Sequence, residues 1–278
     1  MSEVAPHPPA APPSGAPPVA SAAARRPLGA YASEAAGLGL FMLSASAFAV
    51  LLFGAGSPVP RAVPSPDVRR DLMGLAMGAT AVVLLRSPIG TRSGGHFNPA
   101  VTLAFLRLGM IGPIDAAWYV AAQVVGGATA MLLAAAVAGP LLADPAVGFV
   151  ATLPGPRGPG VAWAAEFAIS VVLLLTVLVV RNLPGGARAA PWVAGTLVAL
   201  FIAVEAPLSG MSLNPARTIA SAVASGDATS LWVYLTAPTA GMLVAAEAMR
   251  IVGPVVRCAR VGPHGRRPCH FPCQGEPS

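Results

Sequence analysis

Two copies of one trio are the residues best placed to act on a passing molecule: Asn98, Pro99 and Ala100, then Asn214, Pro215 and Ala216. An Asn at a helix start caps exposed N–H groups with its side-chain oxygen, and a Pro at the next position gives up no hydrogen bond. The Asn NH₂ then remains able to donate to an oxygen-bearing solute. Arg217 follows the second trio directly and brings a permanent charge on fork-shaped donors. Glu34, Glu166 and Glu205 interrupt otherwise apolar runs. Carboxylates in such places either relay protons or satisfy backbone N–H groups that have no other partner. His96, two residues before Asn98, either lines a passage or is packed and satisfied. Near the end, Cys258, His264, Cys269, His270 and Cys273 have the types that suit soft metals. Their spacing fits no zinc pattern and the three cysteines form no simple disulfide framework. A basic tail without metal is the expectation.

The elements that must hold these groups read as membrane spans. The chain has 278 residues, 55% hydrophobic and 10% charged, with a mean hydropathy of +0.70. A soluble domain carries about 25% charged residues, and burying this much apolar surface would leave too little polar surface to cover it. A spanning helix needs about 20 apolar residues. Residues 28–54, 72–85, 116–142, 161–180, 191–208 and 230–249 supply six candidates. The second is short, so its helix is expected to run over residues 67–87 with charged ends reaching outward. Residues 99–106 and 215–224 each start at an Asn-Pro-Ala trio and are too short to cross. At membrane depth they read as half-helices entering from loops.

Residues 93–104 and 209–220 align at an offset of 116, with seven of twelve positions identical. Glu34 in the first span is echoed by Glu166 in the fourth. Each copy contains three spans, an odd number, so the second is inverted and the two half-helices meet near the midplane. Secondary transporters also use inverted repeats and broken helices. The paired Asn-Pro-Ala half-helices favour a passive channel over a transporter.

Over residues 30–253, with both trios and both Glu positions in place, the chain resembles the major intrinsic proteins, the aquaporin and glycerol-channel family. The resemblance implies an all-α membrane fold of six transmembrane helices plus two re-entrant half-helices, assembled as a homotetramer with one pore per subunit. It implies no enzymatic activity and no cofactor. Water and small neutral solutes, glycerol-like polyols or metalloid hydroxides among them, would pass while ions and protons are excluded. Glu34 and Glu166 would support the re-entrant loops, and His96 and Glu205 would stand at the pore mouths, Glu205 lining one or pairing with Arg217. The selectivity filter would comprise Met77, Ile202, Met211 and Arg217. Strict counting selects Gly78 instead of Met77, but the pattern Leu75-Ala76-Met77-Gly78 favours Met77. The water-selective pattern has His at Ile202 and an aromatic at Met77. The glycerol pattern has aromatics at Met77 and Met211. This set matches neither.

The expected organisation is a Pro/Ala-rich disordered tail over 1–27, a channel unit over 28–253 with repeats at 28–142 and 161–253, and a basic Cys/His tail over 254–278. The net charge of +6 comes with 17 basic residues, all Arg. They lie between spans rather than in one patch, which argues against nucleic acid. Twelve fall on the side of the chain ends and four on the other, Arg217 aside. The positive-inside rule then places both termini in the cytoplasm, in a bacterial plasma membrane.

Overall fold

The computed structural model describes residues 27–253, 258–264 and 270–271. The expected N-terminal tail lies outside the described residues apart from Pro27. In chain order the helices are α1 (Leu28–Phe53), α2 (Val59–Ala62), α3 (Pro66–Arg86), α4 (Pro88–Ser93), α5 (Pro99–Arg107) and α6 (Pro113–Leu142). A 3₁₀ turn (Gly148–Val150) leads to α7 (Pro159–Arg181), α8 (Gly186–Val204), α9 (Ala206–Ser209), α10 (Pro215–Ser225) and α11 (Leu231–Val252).

Five of these, α1, α6, α7, α8 and α11, are long and apolar enough to cross a membrane. The sixth expected span is α3, which carries Asp67, Arg69, Arg70 and Asp71 in its first turns and Arg86 at its end. Its start is well signalled: the Ser65 side chain accepts from Val68 N–H, and Pro66 begins the helix. Arg70 Nε donates to Ala203 O at 2.9 Å and Arg69 Nη1 to Leu52 O at 3.1 Å, so the charged end is tied to backbone carbonyls. The fifth span, α8, starts and ends earlier than expected, at Gly186 and Val204. α8 stops at Val204, Glu205 caps it, and the chain turns through the short α9 into Gly210 with a left-handed backbone.

The packing follows the repeat. α1 lies on α6 as α7 lies on α11, and α3 meets its counterpart α8. The half-helices cross over: α5 packs on α11 of the second repeat, and α10 on α6 of the first. Small residues permit the close approaches. A Cβ on Gly78 would stand 2.4 Å from Gly195 O, and one on Gly195 would stand 2.6 Å from Gly78 O. Gly126 meets Ala35 O and Gly241 meets Phe167 O in the same way, at 2.2 and 2.5 Å. This is the packing mode of helices in lipid, where backbone approach replaces hydrophobic exclusion. The outer surface is correspondingly apolar, with Val83, Val137 and Val204 exposed.

Leu28, Arg86, Arg181 and Val252 mark one end of the bundle, here the terminal face. On the other, far face, Asp144 accepts from Ala55 N–H at 2.6 Å and Ala146 N–H at 2.9 Å, joining two connections. Those two N–H groups hold its carboxyl below the usual range. The basic tail does not hang free in its described part. Residues 258–262 are buried against the terminal face, with Arg260 2% exposed. The sequence reading missed this because the tail's partners are backbone atoms of the re-entrant loop, which no side-chain pattern marks.

Gly78→Leu should abolish the α3–α8 approach and lower stability by about 2 kcal/mol or more. Gly160→Ala, whose Cβ meets nothing within 4 Å, should leave it unchanged. Thermal unfolding of the two purified variants beside the parent checks this.

Candidate functional site

The site is built from two loops that descend to the middle of the bundle. The first leaves α4 at Gly94 and the second leaves α9 at Gly210, each helix ending on a left-handed glycine. Both then force non-glycine residues into the left-handed region, Phe97 at φ 46°, Met211 at 54° and Leu213 at 59°. Such residues cost about 1–3 kcal/mol each and persist only where the surroundings hold them.

Here the surroundings are two buried carboxylates. Glu34 Oε1 accepts from His96 N–H at 3.0 Å, and its Oε2 accepts from Phe97 N–H at 2.5 Å and Gln123 Nε2 at 2.7 Å. Glu166 Oε1 accepts from Ser212 N–H at 2.5 Å and Ser209 Oγ at 2.8 Å, and its Oε2 accepts from Leu213 N–H at 2.8 Å. The pairs His96–Phe97 and Ser212–Leu213 occupy equivalent positions in the two copies. Each carboxylate therefore satisfies two consecutive N–H groups that no helix could reach.

The Asn side chains close the centre. Asn98 Oδ1 caps α5 through Ala100 N–H, and Asn214 Oδ1 caps α10 through Ala216 and Arg217 N–H. Each NH₂ also donates across the centre: Asn98 Nδ2 to Leu213 O and Asn214 Nδ2 to Phe97 O, both at 2.8 Å. The Asn NH₂ groups therefore serve the structure as well as the passage. One N–H of each holds the opposite loop, and one remains. The left-handed residue ahead of each Asn presents the carbonyl that makes this exchange possible.

A cavity of about 360 Å³ passes both Asn residues. Met77, Ile202, Met211 and Arg217 all line it, as does His96. Gly78 is absent from the lining and faces α8 instead. Arg217 Nη1 is buried without a hydrogen-bond partner among the described residues, and none of their carboxylates forms an ion pair with it. Glu205 departs from expectation. It is buried, lies outside the lining, and does not pair with Arg217. Its position where α8 turns into α9 folds it away from the passage. His96 is both packed and lining. Its Nε2 lies 3.1 Å from Ala259 O, a pure acceptor, so Nε2 carries the proton, and Nδ1 lies 3.1 Å from Thr102 Oγ1.

A second tier went unread in the sequence. Tyr119 Oη donates to Ser93 O at 2.7 Å, and Tyr234 Oη donates to Ser209 O at 2.6 Å. Thr102 and Thr218 hold His96 and Ser212 in the same symmetric way, the latter at 2.5 Å. The Thr pair stands inside the twelve-residue repeat at its offset of 116, whereas Tyr119 and Tyr234 lie beyond it and 115 apart, one residue out of register. No group of three metal-ligating side chains occurs among the described residues. Cys258 is disulfide-bonded, which removes its sulfur from any ligand set. Cys269 and Cys273 lie outside the described residues.

Comparisons with known proteins agree with this geometry. The sequence model described as Major intrinsic protein matches residues 27–248. A "Glycerol uptake facilitator protein-like 6" of Lactiplantibacillus plantarum is 40% identical over 189 residues, 65% of this chain and 84% of the relative. An "Aquaporin Z" of Photorhabdus laumondii is 30% identical over 219 residues, 73% of this chain and 92% of the relative. The X-ray structure of the aquaglyceroporin from Plasmodium falciparum superposes with a TM-score of 0.63 at 20% identity, covering 81% of this chain and 96% of that one, which shows the shared fold.

Glu166→Gln should set an amide NH₂ against groups that only donate to this side chain. The loss is expected to be about 1–3 kcal/mol, the cost of a buried unsatisfied group. A melting temperature that matches the parent's would contradict the assigned role of Glu166.

Proposed function

The chain belongs to the major intrinsic protein family and is a membrane channel for water and small solutes such as glycerol, and from that premise we propose its selectivity, its exclusion of ions and its assembly. The reading is a passive pore for small polyols and chemically similar neutral hydroxides, metalloid hydroxides included, with water following. One observation carries it: Arg217 brings an unpartnered Nη1 to a cavity also lined by Met77, Ile202 and Met211. A polyol slides its carbon edge along Met and Ile while its hydroxyls accept from Arg217. Met is flexible and adapts to that edge.

Ion exclusion follows from fixed dipoles. α5 and α10 both begin at the Asn pair, so their positive ends, roughly half an elementary charge each, converge there. Cations meet that field and the charge of Arg217. The remaining N–H of Asn98 and of Asn214 both donate to a water oxygen at the centre. Its hydrogens then point away from its neighbours' donors, which interrupts a proton-conducting chain.

The apolar outer faces of α1 and α6, with Leu43, Val125 and Val137 exposed, support contacts with lipid and with three further copies in a homotetramer. The Arg asymmetry supports a cytoplasmic terminal face, and the bacterial relatives support a bacterial plasma membrane.

In reconstituted vesicles, stopped-flow traces should show glycerol and water flux well above bare lipid. Glycerol flux at the bare-lipid level beside fast water would overturn the polyol reading. Met77→Phe together with Met211→Phe narrows the filter to aromatics at both positions and should cut flux of polyols larger than glycerol at least about tenfold, the order one misfitted solute contact costs, while glycerol still passes. Arg217→Val should admit larger polyols, and an unchanged size cut-off would remove Arg217 from the filter.

A further inference from the structure

The terminal face of the passage is occupied by the chain itself. Val261 lines the cavity alongside His96, at its terminal-face end. Its N–H donates to Gly94 O at 2.8 Å, so the tail is bonded to the re-entrant loop. Beside it, Ala259 O accepts from His96 Nε2, and Arg260 donates to Thr91 O and Pro263 O. Arg181 Nη1 donates to Gly262 O at 2.8 Å, which ties the segment to α7. Phe271 stacks parallel on the His96 ring, 5.8 Å between centroids. The fit is close: a Cβ on Gly262 would stand 2.6 Å from Leu85 O, and one on Gly94 would stand 2.9 Å from Ala259 O. These partners come from α3, α4, α7 and the first loop, all parts of the transport path or its wall.

We propose that residues 258–264, with Phe271, form a stopper in the terminal mouth of the pore, and that the disulfide at Cys258 locks it in place. Val261 supplies the apolar plug and Arg260 a positive charge beside it. The seat uses His96, whose ring is fixed by Ala259 only while the stopper is in. The lock opens by thiol–disulfide exchange. A dithiol reductant attacks the disulfide, its own two sulfurs join, and its two electrons and two protons leave a pair of cysteine thiols on the channel. The chain's other cysteines are Cys269 and Cys273, so the bond closes a loop within the tail. Cytosolic disulfides are characteristically transient and redox-sensing. A lock of this kind on a cytoplasmic face would open the channel under reducing conditions.

The test uses the full chain in vesicles, purified without reductant, with glycerol flux read by stopped-flow before and after dithiothreitol. The oxidised parent should conduct at least about fivefold more slowly than the reduced parent. Cys258→Ser should conduct quickly in both states. Gly262→Val, which cannot seat against Leu85 O, should also conduct quickly in both states with the disulfide intact. An oxidised parent as fast as Gly262→Val overturns the proposal, as do equal rates in all preparations at any level. Fast flux in Gly262→Val but not in reduced parent would keep the stopper and overturn the lock.

Discussion

Everything at the centre of this protein depends on two carboxylates accepting pairs of backbone N–H groups at a depth where water is scarce. Without Glu34 and Glu166, residues 96–97 and 212–213 would carry unsatisfied donors, and the left-handed residues Phe97 and Leu213 would have nothing to hold them. Those residues in turn present the carbonyls that orient Asn98 and Asn214. The Asn side chains start the two half-helices, and the half-helix dipoles set the field in the passage. A carboxyl group buried on each side thus underwrites a positive field in the middle. That arrangement holds because each of the two accepts hydrogen bonds from three donors.

The passage combines a rigid centre with a compliant constriction. Asn98 and Asn214 are each fixed by a cap bond and a cross-loop bond. Met77 and Met211 offer side chains that change shape at low cost. In the proposed reading, exclusion of charge resides in backbone geometry, which tolerates little variation, and discrimination among neutral solutes resides in side chains, which tolerate much.

Much of this was legible in the sequence because the signals are local and repeated. The Asn-Pro-Ala trios, the half-helices and five of the six spans follow from apolar length and helix-start chemistry. α3 was legible only by allowing its charged ends to reach outward. Met77 was recoverable over Gly78 because a glycine beside it serves helix approach, a role the structure gives to Gly78 and Gly195. Glu205 was misplaced because nothing in its neighbours announces that α8 ends one residue earlier and turns. Tyr119, Tyr234 and Gln123 were missed because their partners are carbonyls and a carboxylate brought close only by the fold. The tail was misread for the same reason: Gly94 O and Ala259 O are invisible to composition.

The crossing of the half-helices bears on how the protein is made. α5 packs against α11, which leaves the ribosome well after it, while α10 packs against the earlier α6. At ordinary synthesis rates α5 waits on the order of ten seconds for its partner. During that time a short helix with an Asn start sits at the membrane without its wall. A nascent chain therefore holds no finished passage at any stage. The pore comes into being only when α11 docks, so a product truncated before α11 lacks that wall and does not become a leak in the membrane that produced it.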